Sequence, residues 1–223
     1  MTPRVAQDGR TCGARQTRAR ACGFWAIMVA MDYDATAALI VVDVQNDFAH
    51  PAGSLYVDEG ERVIPLIDEE LARARSAGAT VVFTQDWHPE VTPHFAKDGG
   101  VWPSHCVAET WGAELSPDLE VGGEIVRKGI GTDDGYSGFS ECDLTTGNRD
   151  QTSLETILRD NGVTRVAVTG LATDYCVRAT ALDASGRGFD VTVLKDGIRA
   201  VNLKPDDGDN AVKEMREAGV RFE

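Results

Sequence analysis

The feature that most constrains this chain is an alternation, from residue 38 onward, of short β-branched runs with longer amphipathic stretches. Residues 38–42 (ALIVV), 79–84 (ATVVFT), 124–127 (EIVR), 165–169 (RVAVT) and 190–194 (DVTVL) read as strands that are apolar on both faces. Strands of that kind need cover on both sides, which predicts an α/β fold with a mostly parallel central sheet in a three-layer α/β/α sandwich. Between the first two runs, Ile64, Ile67, Leu71 and Ala74 recur at helical spacing, with Pro65 in the first turn and a stop at Gly78. A second helix opens with Thr152 and Glu155 in capping-box spacing, buries Leu154, Ile157 and Leu158, and stops near Gly162. A third begins around Thr173, and a last spans roughly 207–218.

With 223 residues, the chain suits one globular domain, expected over 31–223. Residues 1–30 differ in kind: five arginines (Arg4, Arg10, Arg15, Arg18 and Arg20) stand against one acid, Asp8, with no strand or helix period. They read as a disordered basic tail. A secretory signal is the competing reading, but no small-residue cleavage site follows, and Met31 is a candidate true start. The apolar stretch 22–31 is too short to span a bilayer, which needs about 20 apolar residues.

A net charge of −14 argues against nucleic acid or an anionic membrane surface as partner and favours a small neutral ligand. Five cysteines at irregular spacing do not form a disulfide framework and suit a reducing compartment, so a cytoplasmic location is expected. Homo-oligomerisation is compatible with the sequence and is not specified by it.

Reactive side chains fall at the strand ends. Asp43 closes the first strand, Asp86 and His88 follow the second, Lys128 ends the third and Cys176 lies just past the fourth. Open α/β sheets bind ligands at the carboxyl ends of their strands, so separate segments deliver these groups to one crevice. Cys176 stands at a strand-to-helix turn that Thr173 can cap, where the positive end of the helix favours thiolate and free amides can hold an oxyanion. Singly, each residue has a bland reading: a core cysteine, a turn aspartate, a surface lysine. Together, an acid, a cation and a thiol at one rim supply what covalent amide hydrolysis needs.

Three of the four histidines, His88, His94 and His105, accompany Asp86 within twenty residues. Imidazole and carboxylate donors suit Zn, Fe or Mn, so one divalent ion is expected, zinc first. His50 is isolated and is left without a role. Phe48, Trp102 and Tyr136 lie near these segments; they can be core or can wall a pocket for a flat ring.

The segments Val42-Asp43-Val44-Gln45-Asn46-Asp47-Phe48, Thr84-Gln85-Asp86-Trp87-His88-Pro89, Pro103-Ser104-His105-Cys106-Val107, Lys128-Gly129, Tyr136-Ser137-Gly138-Phe139 and Gly170-Leu171-Ala172-Thr173-Asp174-Tyr175-Cys176-Val177 together resemble the nicotinamidases of the isochorismatase-like cysteine hydrolases. The likeness runs from about residue 38 to the C-terminus. It implies an isochorismatase-like fold and hydrolysis of nicotinamide, a small aromatic amide, to nicotinic acid and ammonia, with pyrazinamide a second substrate. It further implies Asp43, Lys128 and Cys176 as catalytic residues, Asp86, His88, His94 and His105 as metal ligands, and Phe48, Trp102 and Tyr136 around the ring. The amides of Ala172 and Cys176 would form the oxyanion hole, beside a non-proline cis peptide between Leu171 and Ala172. Residues 49–53 (AHPAG) depart from the cysteine- and glycine-containing pattern of many members. The alternatives are an isochorismatase or carbamoyl-amide hydrolase, which generally lack the histidine cluster, and a non-catalytic metal-binding scaffold.

Overall fold

The computed structural model describes residues 31–223; the expected basic tail over 1–30 lies outside the described residues. Its main sheet is built from strands β1 (Ala37–Val42), β2 (Thr80–Asp86), β3 (Glu124–Lys128), β6 (Arg165–Leu171), β7 (Asp190–Arg199) and β8 (Arg221–Phe222), in the order β3-β2-β1-β6-β7-β8. Every pairing in it is parallel. A small antiparallel hairpin, β4 (Ser140–Cys142) with β5 (Arg149–Gln151), stands apart from it.

The alternation of side chains along β1 sets up two cores. Leu39 and Val41 face one side, where Ile64, Ile67, Leu71 and Ala74 of helix α2 (Ile64–Ser76) pack. Ala38, Ile40 and Val42 face the other, against Leu154 and Leu158 of α3 (Leu154–Asp160), Ala181 and Ala184 of α4 (Arg178–Gly186), and Ala211 and Met215 of α5 (Asp207–Glu217). The result is the three-layer α/β/α sandwich expected from double-faced strands. Each fully buried Leu or Ile contributes roughly 1.5–3 kcal/mol of transfer free energy, so these paired cores dominate the fold's stability.

Three expectations need correction. The strand over 124–127 is not apolar on both faces: β3 is an edge strand, with Glu124, Ile125 and Arg127 exposed and only Val126 and Lys128 buried. The capping box at Thr152 and Glu155 does not form. Thr152 Oγ1 instead donates to the Gly138 carbonyl and accepts the Leu154 amide, while Glu155 is drawn to Arg159 and Arg187 on the surface. Finally, the helix expected at Thr173 begins as a wide π-helical turn over Thr173–Val177 before α4, and no side chain caps it.

β2 and β3 lie to one side of β1, and β6, β7 and β8 to the other, so the order of connection reverses between β1 and β6. At such a switch point the flanking loops diverge and leave a crevice at the carboxyl ends of the strands. A short helix, α1 (Asn46–Ala49), and the long connection from β2 to β3 close over it.

Candidate active site and metal centre

Adjacent strand ends bring Asp43, Asp86, Lys128 and Cys176 together. Asp43 follows β1 with φ +48°, a left-handed turn that aspartate tolerates better than most residues. Its Oδ1 accepts a hydrogen bond from Thr84 Oγ1 at 2.6 Å. Its Oδ2 lies 2.7 Å from Lys128 Nζ, an ion contact outside hydrogen-bond alignment. Lys128 also donates to Asp86 Oδ1 and the Gly135 carbonyl, and its Nζ is 3.6 Å from Cys176 Sγ. The side chains of Asp43 and Lys128 are 0% exposed. Burial alone would discharge the lysine, but the carboxylates of Asp43 and Asp86 outweigh it and hold the ammonium charged, well above the ordinary lysine value.

The sulfur of Cys176 lies within 4.8 Å of a carboxylate oxygen of both Asp43 and Asp86. The expected bias toward thiolate is not what this setting gives at rest. Burial pushes the Cys176 thiol well up; Lys128 opposes the rise, and the carboxylates of Asp43 and Asp86 add to it. Asp43 is likewise raised to about 6, first by burial and then by Asp86, with Lys128 opposing. A protonated thiol therefore stands beside a carboxylate whose proton affinity suits it as an acceptor near neutral pH.

On the other side of Asp86, ligating atoms of the buried His88, His94 and His105 lie within 4.8 Å of one another. Asp86 Oδ2 is 3.7 Å from His88 Nε2 and 4.0 Å from His105 Nε2. His88 Nδ1 lies 3.1 Å from the Gly129 carbonyl and His105 Nδ1 2.8 Å from the Pro103 carbonyl. Those contacts call for protonated Nδ1 atoms and leave each Nε2 as a lone pair. His88 Nε2 is buried with no hydrogen-bond partner, a polar atom that a cation would satisfy. Burial and the neighbouring imidazoles depress His94 to about 3, and burial likewise depresses His105, so both are neutral ligand forms. The donor set fits a divalent metal ion. Gly129, at φ +70°, backs the cluster because a β-carbon there would run into the His88 ring.

A cavity opens onto Cys176, Asp86, His94 and His105, and Phe48, Trp102, Tyr136 and Ala172 all line it. Trp102 Nε1 donates to Tyr136 Oη at 2.9 Å, tying two walls together. The Leu171–Ala172 peptide is cis. His50 lies outside the cluster, edge-on to Trp111, with Nδ1 accepting the Ala52 amide.

The Isochorismatase domain model matches residues 37–222. The chain belongs to the isochorismatase family. Within that family it is similar to the nicotinamidase of Escherichia coli (strain K12), at 38% identity over 201 residues covering 82% of this chain and 92% of the relative. Among solved structures it resembles the pyrazinamidase of Pyrococcus horikoshii in complex with zinc, with a TM-score of 0.75 and 44% identity over 84% of this chain and 98% of that one. It also resembles PnC1 from L. infantum in complex with nicotinate, with a TM-score of 0.78 and 36% identity over 86% and 94% of the two chains.

Sequence reasoning missed several residues of this isochorismatase-family site. Leu55, Tyr175 and Val201 also line the cavity, and the Tyr175 ring meets Trp102 edge-on at 4.8 Å. Asp47 accepts the Cys106 amide at 2.7 Å and so fixes the segment that carries His105. Asp174 accepts the amides of Val201 and Asn202, joining the nucleophile turn to the opposite wall. Tyr175 was legible as the neighbour of Cys176; the others depend on contacts between distant segments.

Proposed function

We propose that the protein is a nicotinamide amidohydrolase that releases ammonia and nicotinic acid through a cysteine thioester, and that it also accepts pyrazinamide. The observation that carries this reading is the meeting of an acid, an ammonium and a thiol in one cavity: Lys128 Nζ lies 2.7 Å from Asp43 and 3.6 Å from Cys176 Sγ. Likeness to a nicotinamidase and to a nicotinate-bound structure supports the choice of substrate.

Asp43 takes the proton of Cys176 as Sγ attacks the amide carbon, and Lys128 stabilises the sulfur as its charge develops. The amides of Ala172 and Cys176 hold the oxyanion. Asp43 then passes its proton to the leaving nitrogen, the carbon–nitrogen bond breaks, and ammonia departs. Water attacks the thioester, giving a proton to Asp43, and collapse of the second oxyanion frees the acid and expels the sulfur, which takes that proton back from Asp43. Phe48, Trp102 and Tyr136, with Tyr175, hold the flat ring and exclude bulk water. Asp86, His88, His94 and His105 would hold a divalent ion, zinc by this donor set and by likeness to a zinc-bound relative. When bound there, it supplies Lewis acidity toward a nitrogen or oxygen donor of the ligand.

The test is ammonia release by the native protein from nicotinamide, pyrazinamide and an N-carbamoyl amide. Turnover of the two aromatic amides is expected. Turnover of the N-carbamoyl amide alone would assign the chain to a different amidase branch of the family.

A further inference from the structure

β1 and β2 run side by side until Asp43, whose amide donates to the Thr84 carbonyl at 3.3 Å. There the two strands part, because Asp43 turns left-handed while β2 continues to Asp86. In a parallel ladder, alternate residues point both main-chain groups toward the same neighbour. Thr84 bonds on the β1 side, and Trp87 donates to Lys128 on the β3 side. The main-chain groups of Asp86 therefore point toward β1, where no backbone remains to receive them.

The side chain of Gln45 stands in that gap. Its Oε1 accepts the Asp86 amide at 2.8 Å, and its Nε2 donates to the Asp86 carbonyl at 2.7 Å. The second Nε2 hydrogen reaches the Ala113 carbonyl at 2.9 Å. One carboxamide thus replaces a peptide unit of the missing strand, and Gln45 is fully buried. The residue it grips on both sides is the one whose carboxylate faces Lys128 with Oδ1 and His88 and His105 with Oδ2.

We infer that Gln45 is a positioning residue: its carboxamide completes the β1–β2 ladder and so sets the orientation of the Asp86 carboxylate toward the metal site. The inference rests on Asp86 being a metal ligand, as proposed above. Gln45 does not line the cavity, and its carboxamide bonds to main-chain groups of Asp86 and Ala113.

Gln45→Met keeps the length and volume of the side chain and removes all three hydrogen bonds. Gln45→Glu keeps the acceptor for the Asp86 amide and removes the donors. The control is Gln85→Met, whose parent Nε2 shares the Ala113 carbonyl at 2.7 Å without touching the Asp86 peptide. The probe is Co²⁺ added to metal-free protein, with its visible spectrum, its affinity by competition with a chelator, and the melting temperature of each metal-free form.

Loss of partners behind a metal ligand typically weakens affinity by about 10–100-fold. Gln45→Met is expected to show that loss with an altered cobalt spectrum, Gln45→Glu a smaller loss, and Gln85→Met an unchanged cobalt affinity even if its metal-free form melts lower. Native cobalt affinity and spectrum in both Gln45 variants would overturn the inference, as would equal losses in Gln85→Met. If Gln45→Met does not fold, Gln45→Glu against Gln85→Met decides on the same criterion. A wild-type protein that takes up no Co²⁺ would overturn the metal reading and this inference with it, which separates that failure from the failure of Gln45 alone.

Discussion

Lys128 Nζ and Asp43 Oδ2 stand 2.7 Å apart with both side chains fully buried. Lys128 also reaches Asp86, so one ammonium sits between two carboxylates that lie close to a single thiol. Removing one partner of a buried pair leaves an uncompensated charge and costs about 3–5 kcal/mol. Lys128→Met is therefore expected to lower the unfolding free energy by that order, measured by urea titration, and to abolish turnover. A stable variant with native activity would mean that the ammonium is dispensable.

The pH dependence follows from Asp43. Its carboxyl is raised to about 6 by burial, and only the ionised form can accept the thiol proton. As pH falls through about 6, Asp43 takes up a proton and kcat/KM should fall with it, while above that value the acid limb levels off. Asp43→Asn should lower kcat by roughly 10²–10⁴-fold, the usual share of a positioned base. A flat profile from pH 5 to 8 in the native enzyme would exclude Asp43 as the acceptor.

Much of this layout was legible in the order of residues, for physical reasons that differ from element to element. β1, β2 and β6 are buried on both faces, and runs such as ALIVV can satisfy that burial in few other ways. Position at or just past the end of a strand is enough to group Asp43, Asp86, Lys128 and Cys176. β3 was misread as double-faced because its pattern is short, and the β4–β5 hairpin has no apolar period at all: Arg149, Asp150 and Gln151 are all exposed. The setting of Cys176 is likewise only half legible in the sequence. Helix polarity is visible in a sequence, whereas complete burial beside two carboxylates appears only once distant segments meet. Gln45 escaped notice for a similar reason, since its partners are a strand end and a loop far along the chain.

Ring recognition can be tested at the wall. Trp102 Nε1 donates to Tyr136 Oη at 2.9 Å, and Trp102 is only 6% exposed. Tyr136→Phe removes the acceptor and leaves that N–H unpaired, a loss of about 1–3 kcal/mol for a buried donor. The expected outcome in steady-state kinetics is a KM for nicotinamide raised roughly tenfold with kcat little changed. A loss confined to kcat would place Tyr136 in the chemistry rather than in ring binding.

Metal removal has its own signature. His88 Nε2 is buried without a partner, and neutral His94 and His105 face it, so an ion binds the folded state through groups the unfolded chain does not preorganise. At about one hundred times its dissociation constant, such an ion adds ~2.7 kcal/mol of stability. Extraction by chelator should lower the melting temperature and suppress ammonia release, and Zn²⁺ should restore both. An unchanged melting temperature after verified extraction would argue against a resident ion.

The central claim is that Cys176 Sγ forms a bond to the substrate carbonyl carbon. Acid quenching during turnover of nicotinamide, followed by peptide mass analysis, tests it most directly. The account predicts a pyridine-carbonyl adduct on the peptide bearing Cys176, absent in Cys176→Ala, which should also release no ammonia above background while still binding nicotinamide. Ammonia release by Cys176→Ala at a rate near that of the native enzyme would contradict it.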